Sequence, residues 1–349
     1  MINKDIDKNG LLYYTRNRKQ HESFDIVKII CCILIVCIHT KPLPNVFQPV
    51  YRISVPLFFM ISSYLFFERI SALELSEQNK YVRRFVKRSL KLYFFWFIIL
   101  FPTSFIFFYS SWFNNGFLKG ILRFAEQFLF SYTFAIPSWY IIATIIGVLI
   151  VYSMNRLKHK WVLPIVGFST YIICCMTSNY EALLAQGGLL NDIFIGGGKF
   201  KPQNSFLVSI IWVYIGYYFV NHRIRVKFYM IPICLILLYI EYFIINNKIG
   251  IPESQDNYLM LVPLCVLLFV YILELNVKYT HCVTLRKMST IIFCFHHPFA
   301  TVVNILLLHK GIETGVLNFT ITIIVSLLVC CIIFKLEKNE YFKWLKYSY

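Results

Sequence analysis

The sequence predicts an all-α fold, a polytopic transmembrane helical bundle, and three observations support it. Hydrophobic residues make up 58% of the 349 residues and charged residues only 15%, whereas soluble chains average roughly 25% charged. The mean hydropathy is +0.63. Apolar segments of bilayer-spanning length recur along the whole chain. Lysine and arginine concentrate in alternate connections between those segments, as topology signals do in membrane proteins.

Ten segments are apolar enough, over roughly the 17–25 residues that a spanning helix needs, to be predicted as transmembrane helices. Segment 121–135 is instead predicted to lie at the interface, because Arg123, Glu126 and Gln127 interrupt it. The ten segments are 24–40, 54–70, 92–111, 136–153, 161–177, 206–220, 228–246, 258–275, 289–309 and 316–335.

The distribution of basic residues predicts the orientation. With the N-terminus inside, the cytoplasmic segments carry 25 lysines and arginines and the external segments carry eight. This bias places both termini in the cytoplasm. We expect the protein to lie in the cell inner (cytoplasmic) membrane. We therefore predict a cytoplasmic N-terminal segment (1–23), one transmembrane domain (24–335) and a cytoplasmic tail (336–349).

Other classes fit the composition less well. The net charge is +17, and the basic residues responsible for it lie between the apolar segments. No nucleic-acid-binding motif accompanies them, so no nucleic-acid partner is expected. The 11 cysteines lie almost entirely within apolar runs, as small hydrophobic residues do, and no metal site is expected. The polar start of the chain argues against a cleaved signal peptide, so we expect the first helix to be retained.

Ionisable residues inside apolar helices are costly and therefore mark functional candidates. The first segment holds Asp25, Lys28 and His39. Eleven residues at about 100° each bring Lys28 and His39 to one helix face, roughly 16 Å apart along the axis. The alternatives are that Lys28 extends to the interface and that His39 only caps the helix end.

Several motifs follow one another along the chain. Lys28-x10-His39 lies in FDIVKIICCILIVCIHT, and RISVPLFFMISSYLFF spans 52–67. These two resemble the first and second helices of the acyltransferase 3 family of bacterial membrane O-acyltransferases. Further similarities are the basic entry KRSLKLYFFW, the Trp-Tyr start PSWYIIATI and the His-Pro helix FCFHHPF. Together these motifs span most of the chain in the family's order.

Two positions depart from the family pattern. Ser63 stands where the family usually has glycine, a change between small residues that close packing can tolerate. The usual Arg-x-x-Arg of the third helix is Arg88-x-x-Lys91. Lysine keeps the charge but lacks the planar, bidentate guanidinium, which weakens the assignment of these positions to a phosphate-rich ligand.

The resemblance implies transfer of an acyl group, expected to be acetyl, from cytoplasmic acetyl-CoA to a hydroxyl of an extracytoplasmic glycan or glycolipid. Arg84, Lys87, Arg88 and Lys91 are the candidates for binding the phosphates of this donor, because charge-assisted hydrogen bonds to phosphate are short and strong. The alternatives are that these residues serve topology alone, or that they contact membrane lipid headgroups.

His39 is the main catalytic candidate. Its imidazole can take the proton from an attacking hydroxyl or carry the acyl group, and its ordinary pKa of about 6.5 suits both roles. Asp25 and Lys28 are expected to orient or charge the inner end of the same path. His297, which the resemblance also marks, either assists or bonds a backbone carbonyl freed by Pro298.

Four further residues are candidates for substrate binding. Arg52 lies at the external end of the second segment, where it can bind an anion or polarise a carbonyl, or act as an interfacial anchor. Trp139 and Tyr140 can stack on a sugar or a thioester, although aromatic residues at helix ends are usually interfacial. Glu241 is an intramembrane carboxylate without an evident partner in the sequence.

The rival function is a transporter or binding module without acyl transfer. Relatives of the family's fold include the membrane part of a serine racemase linked to vancomycin resistance, and intramembrane charges suit a permeation path as well as catalysis. We expect no fused racemase domain. The glycine-rich external loop 178–205 is expected to be passive rather than a lid. The sequence leaves a homo-oligomer open.

Overall fold

The computed structural model describes residues 2–6, 12–16, 21–113, 116–122, 138–156, 161–184, 201–250 and 255–349. Of residues 2–6, 12–16, 103–113 and 138 only the backbone is described. These parts of the chain form a helical bundle, which confirms the predicted class. A short antiparallel hairpin near the N-terminus adds to the helices, with β1 (Ile2–Ile6) paired to β2 (Leu12–Arg16).

Eleven α-helices build the described bundle. They are α1 (Glu22–Thr40), α2 (Gln48–Tyr51), α3 (Ser54–Ser71), α4 (Leu75–Phe113), α5 (Ser138–Met154), α6 (Val162–Met176), α7 (Phe206–Asn221), α8 (Met230–Ile244), α9 (Leu261–Glu274), α10 (Cys282–His309) and α11 (Gly315–Leu336). A π-helical turn, Ile245–Ile249, extends α8, and the 3₁₀ helices are Asn45–Phe47, Glu181–Leu183, Pro202–Asn204 and Glu340–Ser348. Residues 117–122 are also helical.

Each of the ten predicted segments corresponds to one of these helices. Within the described residues, five helices are long and apolar enough to cross a membrane: those at Glu22–Thr40, Asn45–Ser71, Met230–Ile249, Cys282–His309 and Gly315–Leu336. Four apolar helices, α5, α6, α7 and α9, are shorter. The protein is therefore an integral membrane protein with several apolar helices. That all ten segments cross, and in which direction, stays a prediction.

Two helices extend beyond the predicted segments. Helix α4 begins at Leu75 rather than near residue 92, because the basic stretch before the apolar part is helical as well. Helix α10 begins at Cys282, seven residues before the predicted start at 289. Most of segment 121–135, and both glycine clusters of the loop 178–205, lie outside the described residues.

Helix α1 ends one residue after His39 for a visible reason. Lys41 adopts a left-handed conformation with φ 49°, and its N–H donates to the carbonyl of Cys37 over 2.9 Å. This is a common helix C-terminal motif, and Pro42 follows it. His39 is thereby fixed in the last turn of the helix.

Small residues allow α7 to pack closely against three neighbouring helices. A Cβ at Gly216 would collide with Ser63 Oγ of α3, and a Cβ at Gly147 of α5 would collide with Ser209 Oγ. Gly167 of α6 faces the backbone of Ile211. Such contacts are typical of helices that associate in membranes. They also explain Ser63, since the room for its hydroxyl comes from glycine on the facing helix.

Three contacts fix α1 along α10. Arg286 binds the carboxylate of Asp25 near the start of both helices. Cys32 Sγ donates to the carbonyl of Ser289 over 3.0 Å. His39 then lies against the two histidines in the middle of α10. We call the end of the bundle where α1 and α10 begin the basic end, and the other the opposite end.

Candidate functional site

A cavity of about 1230 Å³ opens at the basic end of the bundle. Pockets for drug-sized ligands usually measure about 300–1,000 Å³, so this cavity can hold a larger molecule. Its wall carries six basic residues and three carboxylates, and an apolar part continues toward the middle of the bundle. The basic residues are Lys28, Arg69, Arg88, Arg223, Arg286 and Lys287, and the acidic residues are Glu22, Asp25 and Glu68.

Of the four predicted phosphate-binding residues, only Arg88 lines this cavity. Arg84 and Lys87 are exposed on α4 and do not line it, and Lys91 Nζ lies 4.6 Å from the centre of the Tyr347 ring. A helix places residues four apart on one face, but only part of that face meets the cavity. Arg69, at the end of α3, was missed because nothing in the sequence shows that α3 and α4 enclose a common space.

Asp25 and Lys28 both face the cavity, but their situations differ. Asp25 is 2% exposed and accepts two hydrogen bonds from Arg286, at 2.9 Å from Nε and 2.7 Å from Nη2. This bidentate pairing occupies the carboxylate and suits an orienting role. Lys28, on the same helix, forms no ion pair with a described residue, so its ammonium group remains available to an anion in the cavity.

Three aromatic rings line the inner end of the cavity. Phe58, Tyr140 and Phe293 come from α3, α5 and α10, and their ring centres lie 5.1–6.0 Å apart. Tyr140 also shares a hydrogen bond of 3.2 Å with Ser62. We call these three rings the aromatic septum. Phe293 lies 6.2 Å from the ring of His296, so the septum stands between the cavity and the histidines beyond it.

His39, His296 and His297 form a cluster on the other side of the septum. The His39 ring centre lies 4.2 Å from that of His297 and 5.3 Å from that of His296. His39 is exposed and makes no hydrogen bond with a described residue, which leaves both ring nitrogens available. His39 and His297 are therefore neighbours, and the predicted catalytic role of each stays a prediction.

The sequence reasoning missed His296. Its Nδ1 lies 2.8 Å from the carbonyl oxygen of Phe293 and 3.0 Å from that of Ile292. Because a carbonyl only accepts, Nδ1 must carry the proton and Nε2 has a free lone pair. Nε2 is buried without a partner among the described residues. It is thus His296 that bonds backbone carbonyls, and these are not the carbonyl freed by Pro298 that we considered for His297. The His-His doublet before Pro298 was the available signal.

Arg52 lies at the opposite end of the bundle and forms an ion pair with Asp256. Each side chain is 19% exposed. Arg52 is also close enough to His39 for the two groups to interact electrostatically. Asp256 precedes α9 by five residues, and its separation of about two hundred residues from Arg52 hid this pairing from the sequence reasoning.

Glu241 and Trp139 lie apart from these groups. The carboxylate of Glu241 accepts hydrogen bonds from Tyr180 Oη and from the backbone N–H groups of Leu259 and Met260, at 2.5, 2.6 and 2.8 Å. These bonds cap the start of α9 and favour a structural role. Trp139 packs near Phe59, with 6.1 Å between ring centres, while its neighbour Tyr140 reaches the septum.

No group of three or more metal-ligating side chains lies close enough to hold an ion within the described ranges. The described site offers imidazole rings, a half-buried lysine and arginines. Imidazole can accept a proton or form a covalent bond to an acyl group, and basic residues can bind a polyanion.

The apolar helices define an integral membrane protein, and it has two polar sites, one on each side of the septum. Residues 21–335 match the acyltransferase domain family. The match covers most of the chain, and the protein belongs to this family.

The chain is also similar to an amino-acid racemase of Enterococcus faecalis. The two are 27% identical over 184 residues, which cover 49% of this chain and 24% of the relative. The chain therefore spans only about a quarter of the length of that relative. No solved structure matches.

Proposed function

We propose that this protein transfers an acetyl group from cytoplasmic acetyl-CoA to a hydroxyl group of an extracytoplasmic glycan or glycolipid. The observation that carries the proposal is the arrangement along α1. This helix places Lys28 in a large basic cavity and His39, eleven residues later, in a cluster of histidines beyond the septum. The basic end is then the cytoplasmic end, in agreement with the distribution of lysine and arginine.

The cavity provides the groups that a coenzyme A thioester requires. Arg69 and Arg88 at its mouth have no ion-pair partner among the described residues, so they can bind phosphate groups without losing an existing contact. Lys28 lies deeper, on α1. The apolar part near Phe58 and Phe293, with Tyr140 beside it, suits the apolar arm of the donor, and transfer requires the thioester to pass between these rings to reach His39.

His39 performs the transfer. In the direct order, without an acyl-enzyme, an imidazole nitrogen takes the proton of the acceptor hydroxyl. At the same time the oxygen of this hydroxyl attacks the thioester carbonyl. The C–S bond then breaks, and the coenzyme A thiolate receives the proton from the imidazolium. In the covalent order, the nitrogen itself attacks the carbonyl, the thiol leaves, and the acceptor oxygen displaces the imidazole. Both orders give an ester and free coenzyme A.

The first test compares purified full-length protein with its His39→Ala variant in detergent, using acetyl-CoA labelled in the acetyl group. We expect saturable binding to both, with release or transfer of label by the wild type and a loss of about 10²-fold or more in the variant. His309→Ala is the matched control, because His309 is an exposed histidine later on α10. Near-normal turnover by His39→Ala would refute the catalytic assignment.

The same experiment distinguishes the direct from the covalent order of transfer, and it distinguishes both from a transporter or binding module. Label that stays on denatured wild-type protein in the absence of acceptor, and is absent from His39→Ala, indicates an acyl-histidine. Label found only on acceptor or water indicates general-base catalysis. A folded wild type that neither binds nor turns over acetyl-CoA at millimolar concentration would favour the transporter or binding-module alternative.

A further inference from the structure

The 3₁₀ helix Glu340–Ser348, which with the residue after it forms the C-terminal segment, lies on α4 near the start of the apolar part of that helix. Residues three apart share a face of a 3₁₀ helix. Leu345 and Ser348 share one face and are buried, and Trp344 packs on Phe95 of α4 with 5.6 Å between ring centres. The exposed faces carry aromatic and basic side chains, which are Tyr341, Lys343, Trp344, Lys346 and Tyr347.

Two lysines from distant parts of the chain meet on the exposed side of this segment. Lys91 Nζ of α4 lies 4.6 Å from the centre of the Tyr347 ring, and Lys346 Nζ lies 5.4 Å from the same centre. Like charges that flank one ring repel each other, and neither lysine forms an ion pair with a described residue. An anion that contacts both ammonium groups would relieve this repulsion.

The carboxylates next to the two lysines in the chain do not supply that anion. Glu337 is bonded to Lys287 and Tyr349. Glu340 forms an ion pair with Lys343. The charge of Lys91 and Lys346 therefore stays unbalanced at an exposed surface, and the matching ligand is an anion from outside the described chain.

The surroundings of Lys91 fit a lipid better than a soluble anion. Residues at i, i+3 and i+7 share one face of an α-helix, and on the face of Lys91 the next two residues are Phe94 and Ile98, both exposed. Helix α11, which leads into the C-terminal segment, is apolar enough to cross a membrane and exposes Leu328 and Ile332. Lys91 thus lies where exposed charge gives way to exposed apolar surface, as headgroups give way to acyl chains in a bilayer. Exposed tyrosine and tryptophan are also typical of this boundary.

We propose that Lys91, Lys346 and Tyr347 form a binding site for an anionic phospholipid. The two ammonium groups donate charge-assisted hydrogen bonds to the phosphate, and the acyl chains lie along Phe94 and Ile98. Neither lysine lines the cavity at the basic end, so the lipid binds whether or not the protein transfers acyl groups. Lys91 then holds a lipid phosphate instead of a phosphate of the acyl donor.

The test measures lipid binding to the purified full-length protein, freed of lipid in detergent, by native mass spectrometry. The protein is titrated with dioleoyl phosphatidylglycerol and with dioleoyl phosphatidylcholine, which have the same acyl chains and differ in net charge. We expect the first molecule of phosphatidylglycerol to bind at least tenfold more tightly than phosphatidylcholine.

The variant Lys91→Gln/Lys346→Gln removes both charges and keeps side chains of similar length. We expect it to bind phosphatidylglycerol at least tenfold more weakly, with an unchanged melting temperature because both side chains are exposed. Lys80→Gln/Lys278→Gln is the matched control, since it removes the charges of two other exposed lysines at the same end of the bundle. The control variant should bind phosphatidylglycerol as the wild type does.

Soluble anions distinguish a lipid site from a site for free phosphate. Glycerol 3-phosphate and coenzyme A are added separately, at millimolar concentration, to the protein with phosphatidylglycerol bound. Retention of the lipid in both cases, with its loss confined to the Lys91→Gln/Lys346→Gln variant, supports the proposal. Displacement by either anion would assign the lysines to a soluble phosphate compound and overturn the lipid site. Equal binding of the two lipids, or equal weakening in the variant and its control, would also overturn it.

Discussion

At the scale of single residues, the difference between His296 and its neighbours defines the histidine cluster. His296 is 1% exposed and bonded through Nδ1, whereas His39 is exposed and makes no hydrogen bond with a described residue. The tautomer fixed at His296 directs a lone pair from Nε2 into the protein. The two ring centres lie 5.3 Å apart, so the unpaired Nε2 belongs to the ring beside His39.

This arrangement predicts the effect of changing His296. His296→Asn keeps a nitrogen near the position of Nδ1, so the bonds to the carbonyls of Ile292 and Phe293 can persist while Nε2 is lost. We expect kcat for acetyl transfer to fall about tenfold or more, with KM for acetyl-CoA and the melting temperature almost unchanged. Steady-state kinetics and differential scanning fluorimetry check this.

His296→Ala supplies the comparison, since it also removes the backbone contacts and should lower the melting temperature. Wild-type turnover by the asparagine variant would show that His296 serves only to stabilise α10.

How far the sequence predicts the site also depends on particular residues. Lys28 and His39 were predictable because an ionisable group in an apolar helix is conspicuous and helical geometry relates their faces. Asp256, the partner of Arg52, was not predictable, because it lies in a connection without periodicity and about two hundred residues from Arg52.

At the scale of helices, ten apolar segments were predictable from length and hydropathy, and each corresponds to a helix. The starts of α4 and α10 were not, because amphipathic or basic turns continue a helix beyond its apolar part. The packing of α3 against α7 also could not be predicted. The sequence indicated only that close packing can tolerate serine at position 63. The glycine that provides the space for this side chain, Gly216, lies about 150 residues away.

The close approach of α3 and α7 predicts a stability effect. In Gly216→Ala the new methyl group would meet Ser63 Oγ and the carbonyl of Met60, so we expect a loss of about 1–3 kcal/mol and a lower melting temperature in detergent. Adding Ser63→Gly should restore part of the loss by removing the hydroxyl. Gly315→Ala is the control, because its Cβ would meet only an ordinary contact of 3.4 Å with the carbonyl of Lys41.

If Gly216→Ala and Gly315→Ala had equal melting temperatures, tight packing between α3 and α7 would be contradicted. The comparison is informative because both substitutions add one methyl group within a helix. Only the surroundings of the two positions differ.

At the scale of the whole molecule, the structure of the basic end distinguishes Arg88 from Lys91, although both were predicted to bind the phosphates of the donor. Arg88 lines the cavity, whereas Lys91 stacks on Tyr347. We therefore expect Arg88→Ala to raise the dissociation constant for acetyl-CoA about tenfold and to reduce its dependence on salt. Lys91→Ala should leave both nearly unchanged. Isothermal titration calorimetry at two salt concentrations measures these effects.

Equal effects of the two substitutions would mean that binding follows the general positive charge of the basic end rather than the cavity. If neither substitution changed the dissociation constant, the basic residues of α4 would serve topology alone.

The C-terminal segment contributes to this end of the molecule as well. Trp96 Nε1 donates to the carbonyl of Ser348 over 2.9 Å, and Lys287 Nζ donates to Tyr349 Oη over 2.8 Å.

The aromatic septum has an electrical consequence if the two ends of the bundle face opposite sides of a membrane. Water in the basic cavity and around His39 conducts, so the membrane voltage falls largely across three rings instead of across the full bilayer. Moving one elementary charge through such a voltage costs about 2.3 kcal/mol per 100 mV. A neutral acetyl group meets no such cost, whereas ions and the phosphates of coenzyme A do. The protein would then let an acetyl group pass between the two compartments while it keeps ions from crossing.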